Sequence, residues 1–444
     1  MNQSKLINTY TLSLQLIAVV VIGLYIFLFG SPTLERPEIG SRPLKNEQKV
    51  ELTQDQALKN MRQEFLISER RPGHLSHVSF EEKDGQLWGR TDNQWKAVLS
   101  IDPKLQKIAE KTMRRGRVAL GSFVAMELDT GRVLALSEYV DRSHPTTRAL
   151  NLKDDIHVGL LALAPAAGLF KVVTTAALLE ANFKPMERFC YRRAGEPKSP
   201  ADLQQSEGAP CSNLMRAFAD VDHGFISSAA HQKLKPEDLT QSALNLGFNQ
   251  PLAHFDLPHE MSAAFIPNSD LQRARTSLGL INSRASTLHG AMIASAIATD
   301  GRLIRPRIVE KLVQAGDGDG EEEREVDYPA QELESSQIAF SPATASILRF
   351  MMRKAIQEET TYKVFSQWPS ELKFYQVAGQ ASQVTVSINP LVRYTWFVGF
   401  FPIEDPKVAV SVMVLNNRVW YARALDIAHR VLREYLLQNL PESK

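Results

Sequence analysis

Short apolar runs near the start of the main part of the chain have the pattern of paired β-strands. Residues 123–126 and 133–136 are apolar, and Asp129, Thr130 and Gly131 lie between them. These three residues are typical of a tight turn, so the segment predicts a β-hairpin.

Helical patterns precede this hairpin and occupy the middle of the chain. Residues 99–115 place apolar side chains on one face after Asp102, a good N-cap, and Pro103, a good first helical residue. Residues 285–306 predict another helix, which Gly301 ends.

Strand patterns return late, at residues 375–388 and 393–417, and residues 423–440 form an amphipathic helical pattern. Strands at both ends with helices between them predict an α+β fold. We expect a mostly antiparallel sheet, assembled from distant segments, with flanking helices and an inserted helical lobe.

An uncharged apolar segment near the N-terminus predicts a membrane anchor. No charged residue lies between Lys5 and Glu35, and the apolar run is long enough to span a bilayer. A cleaved signal peptide is the alternative, but the run is not followed by a suitable pair of small residues. The predicted divisions are a short tail (1–10), a transmembrane helix (11–30), a stalk with a small juxtamembrane region (31–98) and the main domain (99–444).

Composition limits the classes of ligand and partner. The net charge is +1, so the chain has no overall electrostatic attraction for nucleic acid. The acidic stretch at residues 315–329 lacks the spacing of a calcium loop and predicts a solvated surface loop. We therefore expect no metal and no cofactor. The two cysteines, Cys190 and Cys211, flank a polar loop that a disulfide would close in an oxidising compartment, although two separate thiols are the alternative.

Five ordered segments resemble the transpeptidase domain of high-molecular-weight penicillin-binding proteins. They are LSIDPKLQ, GSFVAMELDTGRVLAL, APAAGLFKVVTTAALLE, STLHGAMIASAIATDGRLIRPRIV and YTWFVGFFPIEDPKVAVSVMVLNN, within residues 99–440. No glycosyltransferase is recognisable before them, so the layout is similar to that of monofunctional, class B-like members with one anchor. The resemblance implies the penicillin-binding protein and β-lactamase-like fold, on the outer side of the bacterial cytoplasmic membrane.

The family carries its chemistry in three short boxes, and the first two are degenerate in this chain. In the Ser-x-x-Lys box, Gly168 takes the position of the nucleophilic serine, whereas Lys171 matches. The Ser-x-Asn box falls on Val221, Asp222 and His223. Two of the three boxes have therefore lost the hydroxyl groups on which the family's reaction depends.

The third box, Lys-Thr-Gly, is also degenerate and reads Gln380, Ala381 and Ser382. Its lysine would hold the substrate carboxylate, and its replacement removes that charge. Loss of a catalytic serine alone typically lowers the rate about 10⁶-fold. The resemblance therefore predicts a pseudoenzyme with no catalytic residues.

Three functions remain open. The first is an inactive scaffold or regulator of peptidoglycan synthesis, paired with a membrane-embedded cell-wall synthesis protein. The second is a transpeptidase or carboxypeptidase with relocated groups, in which Ser382 attacks and His223 acts as base. The third is a receptor that binds a stem peptide or a β-lactam in the old cleft. We also expect Asp222 to be the partner of Lys171, and Leu169 or a loop to fill part of the cleft.

Overall fold

The computed structural model of the chain describes residue 75 and residues 80–91, 95–152, 156–192, 195–204, 208–252, 255–314, 324–327, 336–357, 364–365, 368–386, 392–416 and 422–439. The predicted tail (1–10), the predicted anchor (11–30), residues 31–74 of the predicted stalk and juxtamembrane region, and the Ser-Ile-Asn sequence at residues 387–389 lie outside them. Within the described ranges, no helix has both the length and the apolar character needed to cross a membrane.

The strands are numbered in chain order. They are β1 (Glu81–Lys83), β2 (Gln86–Arg90), β3 (Trp95–Leu99), β4 (Leu120–Glu127), β5 (Val133–Val140), β6 (Ala164–Pro165), β7 (Phe189–Cys190), β8 (Cys211–Ser212), β9 (Ala263–Ala264), β10 (Ser283–Ala285), β11 (Arg302–Leu303), β12 (Val309–Gln314), β13 (Arg324–Asp327), β14 (Gln337–Ile338), β15 (Ala378–Val386), β16 (Val392–Phe401) and β17 (Val408–Asn416).

The α-helices are numbered in the same way. They are α1 (Pro103–Arg115), α2 (Pro145–Ala149), α3 (Gly168–Glu180), α4 (Leu214–Ala219), α5 (His223–Lys233), α6 (Pro236–Asn245), α7 (Asp270–Thr276), α8 (Thr287–Ala298), α9 (Pro342–Gln357) and α10 (Ala424–Gln438).

The principal sheet has five strands in the order β15-β16-β17-β4-β5, and every neighbouring pair is antiparallel. The predicted hairpin is confirmed as β4 and β5. Helix α1 also begins as predicted, because Asp102 caps it by accepting hydrogen bonds from the backbone N–H groups of Lys104 and Leu105. Helices α2 to α9 lie in the chain between β5 and β15, so the sheet is assembled from distant segments, as the late strand patterns predicted.

Each face of this sheet carries its own apolar core. Successive strand residues point to opposite faces, so Phe123 and Phe397 pack with α1 and α10, whereas Val124 and Trp396 belong to the core that contains α3 and α8. The first residue of α3 lies next to β15, the edge strand of the sheet. This juxtaposition brings together the first and third box positions, where the cleft of the family would lie.

A second sheet has the order β1-β2-β3-β12-β13, so it joins three strands from the start of the described region to two strands from later in the chain. The division predicted between residues 98 and 99 falls inside β3, and β12 pairs with that strand. The predicted surface loop at residues 315–329 contains strand β13, so that part of the prediction was wrong. Its acidic residues suit an edge strand, since Glu325 forms an ion pair with Lys311 on β12.

Candidate functional site

The start of helix α3 is held by backbone contacts with a neighbouring segment. Ala167, the residue before the helix, has a φ of 45° and donates its N–H to the carbonyl of Gly279 at 2.9 Å. A Cβ atom at Gly279 would come within 2.4 Å of the Ala167 oxygen, so the approach requires glycine. The backbone amide of Gly168 is thereby presented to the edge strand β15.

Gly168 has no room for a side chain because Ser382 occupies the space. The Gly168 N–H donates a hydrogen bond to Ser382 Oγ at 3.0 Å. A Cβ atom added at Gly168 would lie 2.4 Å from this oxygen and 2.6 Å from Ser382 Cβ, closer than real Cβ contacts come. In the family pattern the serine stands at position 168 and the glycine at position 382, so this chain holds the opposite arrangement across the same contact.

The expectation that Leu169 or a loop fills part of the cleft remains a prediction. Leu169 is fully buried in the apolar core, and the side chain placed against Gly168 is that of Ser382. The cross-strand neighbour of Ser382 is Trp396, whose indole N–H donates to the carbonyl of Pro165 at 2.9 Å. Trp396 thus ties the sheet to the segment that enters α3, a role that its position in the sequence did not indicate.

Gln380 replaces the family's lysine with a neutral side chain. It is 3% exposed, and neither its amide nitrogen nor its amide oxygen has a hydrogen-bond partner among the described residues. Its Cδ lies 4.0 Å from the point where a Cβ of residue 168 would be. Gly168, Gln380 and Ser382 therefore meet at one place, and the charge that would recognise a substrate carboxylate is missing from it.

Lys171 is retained, and its amine is deeply buried. Nζ donates to the backbone carbonyl of Phe218 at 3.1 Å and lies 4.8 Å from the centroid of that residue's ring. Burial lowers the pKa of Lys171 to about 7, and the charge of Asp222 opposes this shift. Asp222 is thus an electrostatic neighbour of the amine, as expected, but the hydrogen-bond acceptor is Phe218, which no sequence signal indicated.

Asp222 has a structural role of its own. Its carboxylate caps helix α5 by accepting the N–H of Phe225 at 3.1 Å, and the hydroxyl of Tyr191 donates to its other oxygen. Burial and then this hydrogen bond raise the pKa of Tyr191. Tyr191 directly follows Cys190, which forms a disulfide with Cys211 between β7 and β8.

The remaining second-box positions, Val221 and His223, carry no hydroxyl. Val221 has a φ of 55°, a strained conformation for a β-branched residue, and it directly precedes the cap of α5. Burial and the positive charge of Lys171 lower the pKa of His223, the first residue of that helix. The structure thus groups Lys171, Asp222 and His223 by charge, whereas Val221 contributes only backbone geometry.

Position 168, one turn before Lys171, carries no side-chain oxygen, and the nearby hydroxyl of Ser382 accepts a hydrogen bond from the backbone amide of Gly168. The literal Ser-x-x-Lys match at residues 370–373 lies in a short 3₁₀ helix rather than at the start of α3. Across the described ranges, no group of three or more His, Cys, Asp or Glu side chains is arranged to hold a metal ion.

Known proteins of similar sequence include a peptidoglycan D,D-transpeptidase and a penicillin-binding protein. The peptidoglycan D,D-transpeptidase PbpA of Mycolicibacterium smegmatis is 28% identical over 355 residues, which are 73% of this chain and 68% of the relative. The penicillin-binding protein PbpB of the same species is 23% identical over 348 residues, covering 71% of this chain and 50% of that protein.

Solved structures establish the fold independently. Penicillin-binding protein A from Mycobacterium tuberculosis, as a ceftriaxone acyl-enzyme complex, superimposes with a TM-score of 0.61 at 23% identity, over 75% of this chain and 78% of that one. Penicillin-binding protein 3 from the same organism, complexed with aztreonam, gives 0.62 at 19% identity, over 78% and 80%. The family model for the penicillin binding protein transpeptidase domain matches residues 121–437. Because this match covers most of the chain, the protein belongs to the penicillin-binding protein transpeptidase family.

Proposed function

We propose that this protein is a catalytically inactive penicillin-binding protein homologue that acts as a scaffold or regulator in peptidoglycan synthesis. The supporting observation is the contact between Ser382 and Gly168, which fills the place of the nucleophile's side chain. An acyl-enzyme of the family's type needs an oxygen at position 168, one turn before Lys171. Here that position has neither the oxygen nor the room for it.

The replacement of the other boxes supports the same proposal. Gln380 supplies no positive charge for a substrate carboxylate, and Val221 supplies no hydroxyl for proton transfer. Loss of the serine alone corresponds to roughly 8 kcal/mol of transition-state stabilisation. A change at one position does not restore this much transition-state stabilisation, because the three boxes act together on one substrate.

The proposed location is the outer face of the bacterial cytoplasmic membrane, with residues 11–30 as a single-pass anchor. The proposed partner is a membrane-embedded cell-wall synthesis protein. Both proposals rest on the apolar segment and on family membership. The disulfide between Cys190 and Cys211 agrees with an oxidising compartment outside the cytoplasm.

A fluorescent penicillin tests the absence of acylation. The full chain, purified in a neutral detergent, is incubated with the reagent and then denatured. Penicillin-binding protein A of M. tuberculosis, which forms acyl-enzymes with β-lactams, is the positive control. We expect no covalent signal from this chain. An adduct located by mass spectrometry on Ser382, or on another side chain of the cleft, would overturn the proposal in favour of relocated chemistry.

A genetic experiment tests the scaffold role. Cells that lack the protein are expected to incorporate labelled peptidoglycan precursors abnormally, and the wild-type chain should restore incorporation although it is not labelled by penicillin. A partner that co-purifies in mild detergent should be lost when residues 1–50 are removed. If deletion leaves incorporation unchanged and no partner is recovered, the scaffold role is wrong.

A receptor for a cell-wall peptide is the second candidate, because the buried amide of Gln380 has no hydrogen-bond partner among the residues that the structure describes. The side chain of Gln380 has both a donor and an acceptor, so it complements a peptide group better than it complements a free carboxylate. Calorimetric titration with a stem peptide, compared between the wild-type chain and Gln380→Leu, distinguishes this candidate. Saturable binding that the variant loses would support a receptor, and absence of binding would exclude it.

A further inference from the structure

A second cleft lies on the opposite side of the principal sheet from the cleft that holds the box positions. It has a volume of about 1160 Å³ and is lined chiefly by residues of α10, with Arg115 from the end of α1. Helices α1 and α10 pack together in the core on their face of the sheet, whereas α3 belongs to the other core. This basic cleft is therefore separate from the family's active-site region.

Positive charge predominates in the lining of the basic cleft. Four arginines and two carboxylates line it, which gives a net charge of +2 while His429 is neutral. Arg423 is already paired, since its guanidinium makes two hydrogen bonds of 3.1 Å to the two oxygens of Asp426. The arginines that remain for a ligand are Arg115, Arg430 and Arg433.

These three arginines are exposed and have no carboxylate within ion-pair distance in the described part of the chain. Arg430 and Arg433 stand three residues apart on α10, which places them on neighbouring positions of one helix face. His429 lies on the same stretch of helix, packed against Phe365 and Trp368. Burial, and then the charges of Arg433 and Arg430, lower the pKa of His429 to about 4. The neutral ring therefore forms part of the wall without adding charge of its own.

Guanidinium groups bind phosphate oxygens through paired N–H donors, and a site with several arginines and a net charge of +2 attracts phosphate-bearing anions. Glu434, the remaining carboxylate of the lining, repels anions. An anion that contacts several arginines at once overcomes this repulsion, whereas an anion that contacts only one does not. We propose that the basic cleft binds a phosphate-bearing anion through Arg115, Arg430 and Arg433. This proposal does not depend on the proposed function, because the two clefts lie on opposite faces of the sheet.

The same chemistry has two sources, a free phosphate compound and the phosphodiester headgroup of an anionic lipid. The full chain in neutral detergent at low ionic strength is titrated calorimetrically with inorganic pyrophosphate. It is titrated separately with a short-chain phosphatidylglycerol, with the corresponding phosphatidylcholine as the uncharged comparison. Tighter binding of pyrophosphate identifies the free compound as the ligand type, and tighter binding of phosphatidylglycerol over phosphatidylcholine identifies the headgroup.

The double variant Arg430→Gln/Arg433→Gln is expected to lower the affinity for the bound probe at least about tenfold, since each charge-assisted contact is worth that much or more. The matched control is Arg90→Gln/Arg114→Gln, which removes the same charge from two exposed arginines paired with Glu81 and Glu110 outside the cleft. The control should change affinity less than about twofold.

Arg115→Gln tests the same site from a different helix and should weaken binding in the same direction. All these substitutions are at exposed positions, and circular dichroism checks that each variant is folded. Absence of saturable binding of both probes at millimolar concentrations would overturn the proposal. Equal losses in the cleft variant and in the matched control would overturn it as well, because they would show attraction by overall charge alone.

Discussion

The backbone N–H of Gly168 donates a hydrogen bond to the hydroxyl of Ser382 at 3.0 Å, across the gap between helix α3 and the edge strand β15. In the family pattern, position 168 carries the side chain and position 382 carries none. The two positions are therefore coupled by volume, since only one of them can hold a hydroxymethyl group at this contact. A serine at position 168 and a serine at position 382 therefore exclude each other at this contact.

This coupling predicts a specific pattern of stabilities. Gly168→Ser alone should lower the free energy of unfolding by about 1–3 kcal/mol, because the new Cβ overlaps Ser382. Gly168→Ser combined with Ser382→Gly should recover most of that loss. Urea unfolding of the wild-type chain, both single variants and the double variant gives the coupling energy. Additive effects would show that the two side chains do not compete for the same space.

The buried amine of Lys171 predicts that the free energy of unfolding rises with pH. Its pKa is about 7 in the folded protein against an ordinary value of 10.5, so the unfolded chain binds more protons between these values. The free energy of unfolding should therefore increase by up to roughly 1.4 kcal/mol per pH unit from this group as the pH rises above 7. Unfolding at several pH values should show a smaller slope for Lys171→Met.

Lys111→Met is the matched control for this measurement, because Lys111 is exposed on α1. It removes the same charge without removing a buried amine, and its slope should equal that of the wild-type chain. If Lys171→Met also keeps the wild-type slope, the amine is already protonated and solvated in the folded protein. The assignment of a low pKa would then be wrong.

His289 predicts a loss of stability at acidic pH. This fully buried ring on α8 contacts the carbonyl of Leu246 through Nε2 at 2.6 Å, and burial lowers its pKa to about 4 from 6.5. The unfolded chain binds more protons between these values, so stability is lost as the pH falls from 6.5 towards 4. His289→Gln, which keeps an N–H donor, should reduce this acid sensitivity by up to about 1.4 kcal/mol per pH unit. An unchanged acid slope would count against the prediction.

The disulfide between Cys190 and Cys211 closes a loop with a sequence separation of 21. Its removal by Cys190→Ala/Cys211→Ala should lower the free energy of unfolding by about 3 kcal/mol in the chain-entropy model. A reductant should destabilise the wild-type chain by a similar amount and leave the double variant unchanged. Equal stability of the wild-type chain with and without reductant would show that the bridge does not form in solution.

Much of the fold could be predicted because its strands and helices carry local signals. The turn at Asp129 to Gly131 and the cap at Asp102 are encoded within a few residues, and the structure places both as expected. The acidic stretch was misjudged because charge in an edge strand resembles charge in a loop. Strand β13 is recognised only from its pairing with β12, and the local sequence pattern does not indicate this pairing.

For the candidate site, alignment with the family pattern could predict which positions belong to the boxes, but not how those positions are arranged in space. Matching the boxes located Gly168, Gln380 and Ser382, but it could not show that these residues meet. Their contact joins positions more than 200 residues apart in the chain. The carbonyl of Phe218 was missed for a different reason, since every residue has a backbone carbonyl and only the fold selects the one that faces Lys171.

Two separate apolar cores, one on each face of the principal sheet, stabilise the helices on the two sides through different sets of residues. Substitutions that alter packing around α3 need not reach α1 and α10, because different residues sustain each layer. A surface residue on one side of such a protein can therefore be exchanged in evolution without a compensating change on the other side.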